Sequence, residues 1–218
     1  MTEQEYQLLE SYMKECMTDA AHDREHIYRV LRAALKIAET EPESDVDILT
    51  AACLLHDIGR EKQYADPNIC HAEAGAEMAF QFLIEHGWKK SCAEHISACI
   101  RTHRFRAGRE PESIEAKILF DADKLDVCGA VGIARTLLYQ GRMGEPIYCV
   151  GEDGRPLPGD SQEPESFVKE YRQKLSGLYD RFYTPAAAQM AKERQTAAEA
   201  FYEALLREIR MTDLGEMR

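Results

Sequence analysis

A His-Asp pair, His56 and Asp57, stands at the end of an apolar helical stretch. His56 continues the spacing of Leu49 and Cys53, so a helix would turn its imidazole toward the core before Gly59 ends it. An imidazole beside a carboxylate is a pair of ligands for a divalent transition metal. For an isolated pair, a buried histidine beside a turn-capping aspartate is the more frequent arrangement. The choice therefore depends on the rest of the chain.

A second histidine, His26, lies near the start of another predicted helix. Asp23 is the predicted N-cap of that helix, and His22 before it is a predicted loop residue. His26 lies one turn before Val30 and can border the apolar face of the helix. Taken alone, His26 would more often be a helix-start residue than a ligand.

Two more histidines can also face the interior. His71 opens a predicted helix, where its side chain can lean into a cleft. His103 extends the apolar face formed by Ile96 and Ile100.

Three aspartates lie within six residues of an otherwise apolar helix, at Asp121, Asp123 and Asp126. Carboxylates in such a position are costly to bury unless they are paired or bound to a metal. Periodicity does not choose among them, because Asp121 aligns with Leu125 and Asp123 aligns with Leu119.

The elements that would position these residues are helical almost throughout. Apolar residues recur with a period of 3.6 residues, and one Gly/Pro-rich segment, 141–165, interrupts the pattern as a loop, a lid or a small hairpin. A polar loop is predicted at 60–68. The predicted helices cover 3–17, about 24–38, 46–59, 71–86, 91–102, 111–139 (as one helix or two), 166–183 and 185–210.

Composition limits the class of protein. The 218 residues suit one domain, 1–218, with 44% hydrophobic residues and no apolar run of the ~20 residues that a membrane span needs. The acidic N-terminus is unlike a signal peptide, and the scattered cysteines contain no C-x-x-C pair, so we predict a cytoplasmic protein without a thiolate zinc site. The net charge of −12 argues against a nucleic-acid partner.

The order of these motifs resembles that of the HD-domain superfamily of metal-dependent phosphohydrolases. The similarity extends to one subgroup of bacterial stand-alone HD hydrolases and covers nearly the whole chain. It implies an all-α, single HD-domain helical bundle with a core at about 20–140 and C-terminal helices at 166–211 packing on it. The residues that carry it are His22-Asp23, His26, Arg29-Val30, Leu54 to Gly59, Asp121 to Leu125 and Gly129-Ala130.

The resemblance implies a set of metal ligands, which are His26, His56, Asp57 and Asp123. Asp123 is preferred to Asp121 because the superfamily usually takes the aspartate immediately before a basic residue, here Lys124. The metal is a divalent ion, Mn, Fe, Co, Ni, Zn or Mg, and the sequence does not rank them.

His71 and His103 fall between the doublet and Asp123, as in HD proteins that hold two metals bridged by the aspartate of the doublet. Three alternatives stay open for this pair. They could hold a second ion, line the pocket as phosphate hydrogen-bond donors or proton carriers, or lie exposed at helix ends.

The implied function is hydrolysis of a phosphomonoester or pyrophosphate bond in a small phosphorylated metabolite, with a nucleotide favoured. Asp57 would ligate metal or relay a proton, Lys124 would neutralise phosphate charge, and Arg60 and Arg104 are weaker phosphate-binding candidates. A di-iron oxygenase on the same fold and a non-catalytic nucleotide sensor are the alternative functions. A homodimer is compatible with the sequence, and no membrane partner is expected.

Overall fold

The structure is a computed structural model that describes residues 1–17, 24–104 and 110–211. These residues form α-helices and one short 3-10 helix, without a β-strand among them, so the all-α fold class is confirmed. The predicted N-cap Asp23 and loop residue His22 lie outside the described residues. The helices are α1 (Glu3–Cys16), α2 (Arg24–Ala38), α3 (Val46–Leu55), α4 (Arg60–Ala65), α5 (His71–Glu85), α6 (Lys90–Arg101), α7 (Ile114–Leu125), α8 (Gly129–Met143), α9 (Phe167–Gln173) and α10 (Pro185–Met211).

The chain divides into two compact units, Met1–Asp123 and Lys124–Arg218. The prediction of a single domain over 1–218 stays a prediction. All seven cysteines are free. Within the described residues, no helix combines the length and the apolar character that a membrane-spanning segment needs.

Helix α3 lies at the centre of the first unit, where it packs against α1, α2 and α6. Asp45 caps its N-terminus by accepting hydrogen bonds from the amides of Asp47 and Ile48, and seven of its ten residues are buried. Burying apolar side chains on several sides fixes the helix firmly. The helix ends at Leu55, so His56 is its C-cap, and a turn carries the chain to Gly59.

A backbone contact joins this turn to α5. A Cβ atom on Gly59 would lie 2.3 Å from the His71 carbonyl oxygen and 2.5 Å from the Gly75 amide nitrogen. Only glycine fits such an approach, which brings the first turn of α5 against the end of α3.

The prediction of a polar loop at 60–68 is partly wrong, because residues Arg60–Ala65 form α4. This helix buries none of its residues. A helix that buries no apolar face leaves no periodic pattern in the sequence. The predicted helix or pair of helices at 111–139 is two helices, α7 and α8, with Ser113 accepting a hydrogen bond from the Ala116 amide at the start of α7.

In the second unit, α8 packs against α9 and α10. The Gly/Pro-rich segment forms a small hairpin without a named strand, with one antiparallel bridge between Val150 and Pro156. The prediction of one helix over 166–183 is wrong. The chain leaves α9 at Lys174, where φ is −128°, and tightens into a 3-10 helix at Leu175–Gly177.

Candidate metal centre

Three predicted ligands form a first group in the first unit. His26 on α2, His56 at the end of α3 and Asp123 on α7 bring ligand atoms together. His26 Nε2 lies 3.2 Å from Asp123 Oδ1 and 3.3 Å from His56 Nε2, and His56 Nε2 lies 3.8 Å from Asp123 Oδ1. Both imidazoles are buried, and the Asp123 side chain is 22% exposed.

A second group consists of Asp57, His71 and His103, and all three are buried. His71 is the first residue of α5, and His103 follows the end of α6. Asp57 Oδ1 lies 3.4 Å from His71 Nε2 and 3.6 Å from His103 Nε2. Neither histidine is exposed, so the alternative that His71 and His103 lie exposed at helix ends is wrong.

Asp57, a member of the second group, also lies close to the first group. Its Oδ1 faces the second group, while its Oδ2 is 3.6 Å from both His26 Nε2 and His56 Nε2. Each carboxylate oxygen therefore faces a different pair of imidazoles. The distance from Asp57 to His71 and His103 is short enough for all three to contact one ion.

The Nδ1 atoms of three histidines have hydrogen-bond acceptors. His56 Nδ1 lies 2.8 Å from the Cys53 carbonyl, and His103 Nδ1 lies 2.6 Å from the Ile100 carbonyl. His71 Nδ1 bonds Gln63 Oε1. A carbonyl can only accept, so the Nδ1 atoms of His56 and His103 carry a proton, and Gln63 favours the same tautomer at His71. With the proton on Nδ1 alone, each of these rings leaves a lone pair on Nε2. Those lone pairs point at the carboxylates.

Burial and neighbouring charges set the protonation states. Burial lowers the pKa of His56 to about 4, and burial together with the nearby Arg60 guanidinium lowers the pKa of His71 to about 2. Burial alone would raise the pKa of Asp57, but His56 and Arg60 outweigh it and hold that pKa well below its usual value. Burial alone would raise the pKa of Asp123, but the hydrogen bond with His26 and the other neighbouring imidazoles together outweigh it and lower that pKa. The imidazoles of His56 and His71 are thus neutral and the two carboxylates are ionised at pH 7.

Three atoms of the second group are buried without a hydrogen-bond partner among the described residues. They are His71 Nε2, His103 Nε2 and Asp57 Oδ1, which lies 3.0 Å from Arg60 Nε as an ion pair but without a hydrogen bond. Buried polar atoms in native proteins nearly always have partners, so an unpartnered set calls for an unseen one. Two imidazole nitrogens and a carboxylate oxygen are a donor set that divalent metals prefer. The residues present therefore fit a metal.

The remaining predicted site residues have other surroundings. Asp121 is fully buried but belongs to neither group. Arg60 Nε lies 3.0 Å from Asp57 Oδ1 and its side chain is 30% exposed. Arg104 Nη1 lies 3.1 Å from His71 Nδ1. Lys124 belongs to the second unit, where its Nζ donates to the Arg181 carbonyl at 2.5 Å, and its role at the site stays a prediction.

No pattern in the sequence indicated Gln63, the hydrogen-bond partner of His71. Gln63 lies on α4, within the segment read as a polar loop. A glutamine among charged residues carries no signal of its own. Its contact with His71, eight residues later in the sequence, depends on the turn between α4 and α5.

Comparisons with known proteins agree with this arrangement. Residues 24–128 match the HD domain family. The uncharacterised protein YpgQ of Bacillus subtilis is 30% identical over 207 residues, which cover 92% of each chain. A crystal structure of YpgQ in complex with ADP has a TM-score of 0.71 at 28% identity and covers 92% of this chain and 97% of that one.

A crystal structure of an HD-superfamily hydrolase from Bacillus thuringiensis has a TM-score of 0.70 at 31% identity, with 94% of this chain and 96% of that one covered. The region matched to the family contains both groups of ligands, and the relatives extend the similarity over nearly the full length. This chain belongs to the HD-domain superfamily.

Proposed function

We propose that this protein is a metal-dependent phosphohydrolase that acts on a small phosphorylated metabolite, with a nucleotide as the favoured substrate. One observation carries the proposal. The two oxygens of Asp57 face two separate groups of ligand atoms. The imidazoles of His56, His71 and His103, whose Nδ1 partners are described, turn Nε2 lone pairs and not protons toward those oxygens. This is the arrangement expected of a carboxylate that bridges two ions.

Under this proposal, six residues hold two divalent ions. His26, His56 and Asp123 hold the first, His71 and His103 hold the second, and Asp57 contacts both. The nitrogen and oxygen donors suit Mn, Fe, Co, Ni, Zn or Mg. When bound, such ions lower the pKa of water and polarise a phosphoryl oxygen.

The protein side chains contribute charge and position. Asp57 and Asp123 are anionic and balance the positive charge that the centre would gain. The Nδ1 hydrogen bonds of His56 and His103 to backbone carbonyls keep those rings in fixed orientations. Arg60 lies against Asp57 and is partly exposed, so its guanidinium is placed to bind a phosphate oxygen arriving from solvent.

A small substrate is favoured over a polymer. The net charge of −12 opposes binding of a long polyanion, while a local pair of cations is enough to attract one phosphate group. YpgQ has been crystallised with ADP, which supports a nucleotide as the substrate class. Cleavage of a terminal phosphate and cleavage of a pyrophosphate bond are both consistent with the centre.

The proposal is tested with purified protein loaded in turn with Mn, Fe, Co, Ni, Zn or Mg. A panel of nucleoside mono-, di- and triphosphates is then assayed, and orthophosphate and pyrophosphate are measured separately. We expect metal-dependent release of one of them, and loss of release in His56→Ala and Asp57→Ala that keep the helical circular dichroism of the parent.

Two results would overturn the proposal. Nucleotide binding with no release of phosphate or pyrophosphate under any metal would indicate a sensor. Iron-dependent dioxygen consumption without phosphate release would indicate the di-iron oxygenase.

A further inference from the structure

Among the three imidazoles with a described Nδ1 acceptor, His71 differs because its acceptor is a side chain, that of Gln63. His56 and His103 bond the backbone carbonyls three residues before them, and these acceptors are present whatever the side chains are. His71 instead bonds the side-chain carbonyl of Gln63 on α4. The orientation of His71 therefore depends on one replaceable residue.

Two neighbours of His71 favour opposite tautomers. Gln63 Oε1 can only accept a hydrogen bond, so it favours a proton on Nδ1. Arg104 Nη1, 3.1 Å from the same nitrogen, can only donate, so it favours a bare Nδ1. In a neutral ring, a bare Nδ1 places the proton on Nε2.

A proton on Nε2 would lie between His71 and Asp57 Oδ1, which are 3.4 Å apart. It would occupy the lone pair that the second group needs to hold an ion. Gln63 thus opposes Arg104 and keeps that lone pair available.

We infer that Gln63 is a positioning residue that fixes His71 in the Nδ1-protonated tautomer and so sets the metal affinity of the second group. The inference rests on the proposed metal centre and extends it by one residue. Gln63 touches neither substrate nor ion in this account and acts through His71 alone.

The first test reads the tautomer directly in protein stripped of metal by a chelator. The two tautomers give different imidazole nitrogen-15 chemical shifts, and the His71 signals are assigned by their loss in His71→Gln. We expect Nδ1–H at His71 in the parent, a shift toward Nε2–H in Gln63→Leu, and retention of Nδ1–H in Gln63→Glu and in Arg104→Met. His56 and His103 are internal controls whose signals stay unchanged, since their acceptors are backbone carbonyls.

The second test measures Mn²⁺ binding by titration calorimetry. In Gln63→Leu, we expect the affinity for one of the two ions to fall by about 10–100-fold, the usual cost of losing such a partner. Gln63→Glu is expected to leave that affinity unchanged. Gln81→Leu, a change at an exposed glutamine on α5, is the matched control and should bind as the parent does.

The inference is overturned if His71 carries its proton on Nε2 in the parent, or if Gln63→Leu changes neither the tautomer nor the Mn²⁺ affinity. Failure of the proposed centre would look different. The parent itself would then bind fewer than two ions, whatever the tautomer of His71. Gln63 is partly exposed on a six-residue helix, so these variants are expected to fold, and Gln63→Glu preserves the test if Gln63→Leu does not.

Discussion

At the scale of single residues, Asp57 differs from the histidines because it faces both groups of ligand atoms. Its two oxygens face different imidazole pairs, so its removal affects both groups, whereas each histidine belongs to one. Removing one member of a buried, interdependent set also leaves the others without compensation. Metal content is therefore a more direct readout of the arrangement than activity.

We expect His103→Ala to reduce the bound metal from two ions to one, and Asp57→Ala to reduce it further. The measurement is elemental analysis of protein dialysed after loading with Mn²⁺. His86→Ala is the matched control, because His86 is exposed and bonds the Phe82 carbonyl of its own helix. Two ions retained by His103→Ala would contradict the assignment of the second group.

The sequence predicts the residues of the site better than their partners. His56 and Asp57 could be found because apolar spacing placed the imidazole on a core face. Asp121 and Asp123 could not be separated by periodicity, since both align with apolar residues of α7, and the structure places Asp123 beside His26. Gln63 could not be found, because its contact with His71 depends on tertiary packing that no local pattern records.

At the scale of elements, the contact of Gly59 with Gly75 joins the two groups. The turn after α3 carries Asp57, and the first turn of α5 carries His71. Backbone atoms meet there without side chains between them, so the spacing of the two turns is fixed by the absence of two Cβ atoms.

Gly59→Ala is expected to destabilise the protein by about 1–3 kcal/mol, the usual cost of overpacking, and to lower Mn²⁺ affinity because α5 must shift. The measurements are urea unfolding and metal titration. Gly141→Ala is the control, since nothing lies within 4 Å of a Cβ atom there and the residue lies in α8. Unchanged stability in Gly59→Ala would show that the two turns can separate freely.

The elements themselves were predictable where they bury an apolar face. Helices α1, α2, α5, α6 and α10 lie within about two residues of their predicted bounds, and α3 ends four residues before its predicted end at Gly59. Helix α4 was missed because none of its residues is buried. The end of α9 was missed although Gly177, three residues after Lys174, marks a place where a helix can end.

At the scale of the whole molecule, the single-domain prediction can be tested by scanning calorimetry. We expect one transition, which moves upward as a whole when Mn²⁺ is added. An ion present at 100 times its dissociation constant contributes about 2.7 kcal/mol, or roughly 5–10 °C in Tm for a chain of this size. Two transitions, of which only one moves, would indicate that the units melt separately.

Net charge gives a second prediction at this scale. With a charge of −12, the protein is expected not to bind duplex DNA or RNA even at low salt. Fluorescence anisotropy of a labelled duplex measures this, with a labelled nucleotide as the positive comparison. Tight duplex binding that weakens steeply with salt would contradict the choice of a small substrate.

The unpartnered atoms of Asp57, His71 and His103 have a consequence for the lifetime of the protein in a cell. If the proposed ions were lost, these atoms would stay buried without hydrogen bonds, which would favour opened forms that proteases cut. The steady amount of the protein would then follow the supply of divalent metal even at a constant rate of synthesis. Metal starvation would remove the protein through turnover and not merely leave it inactive.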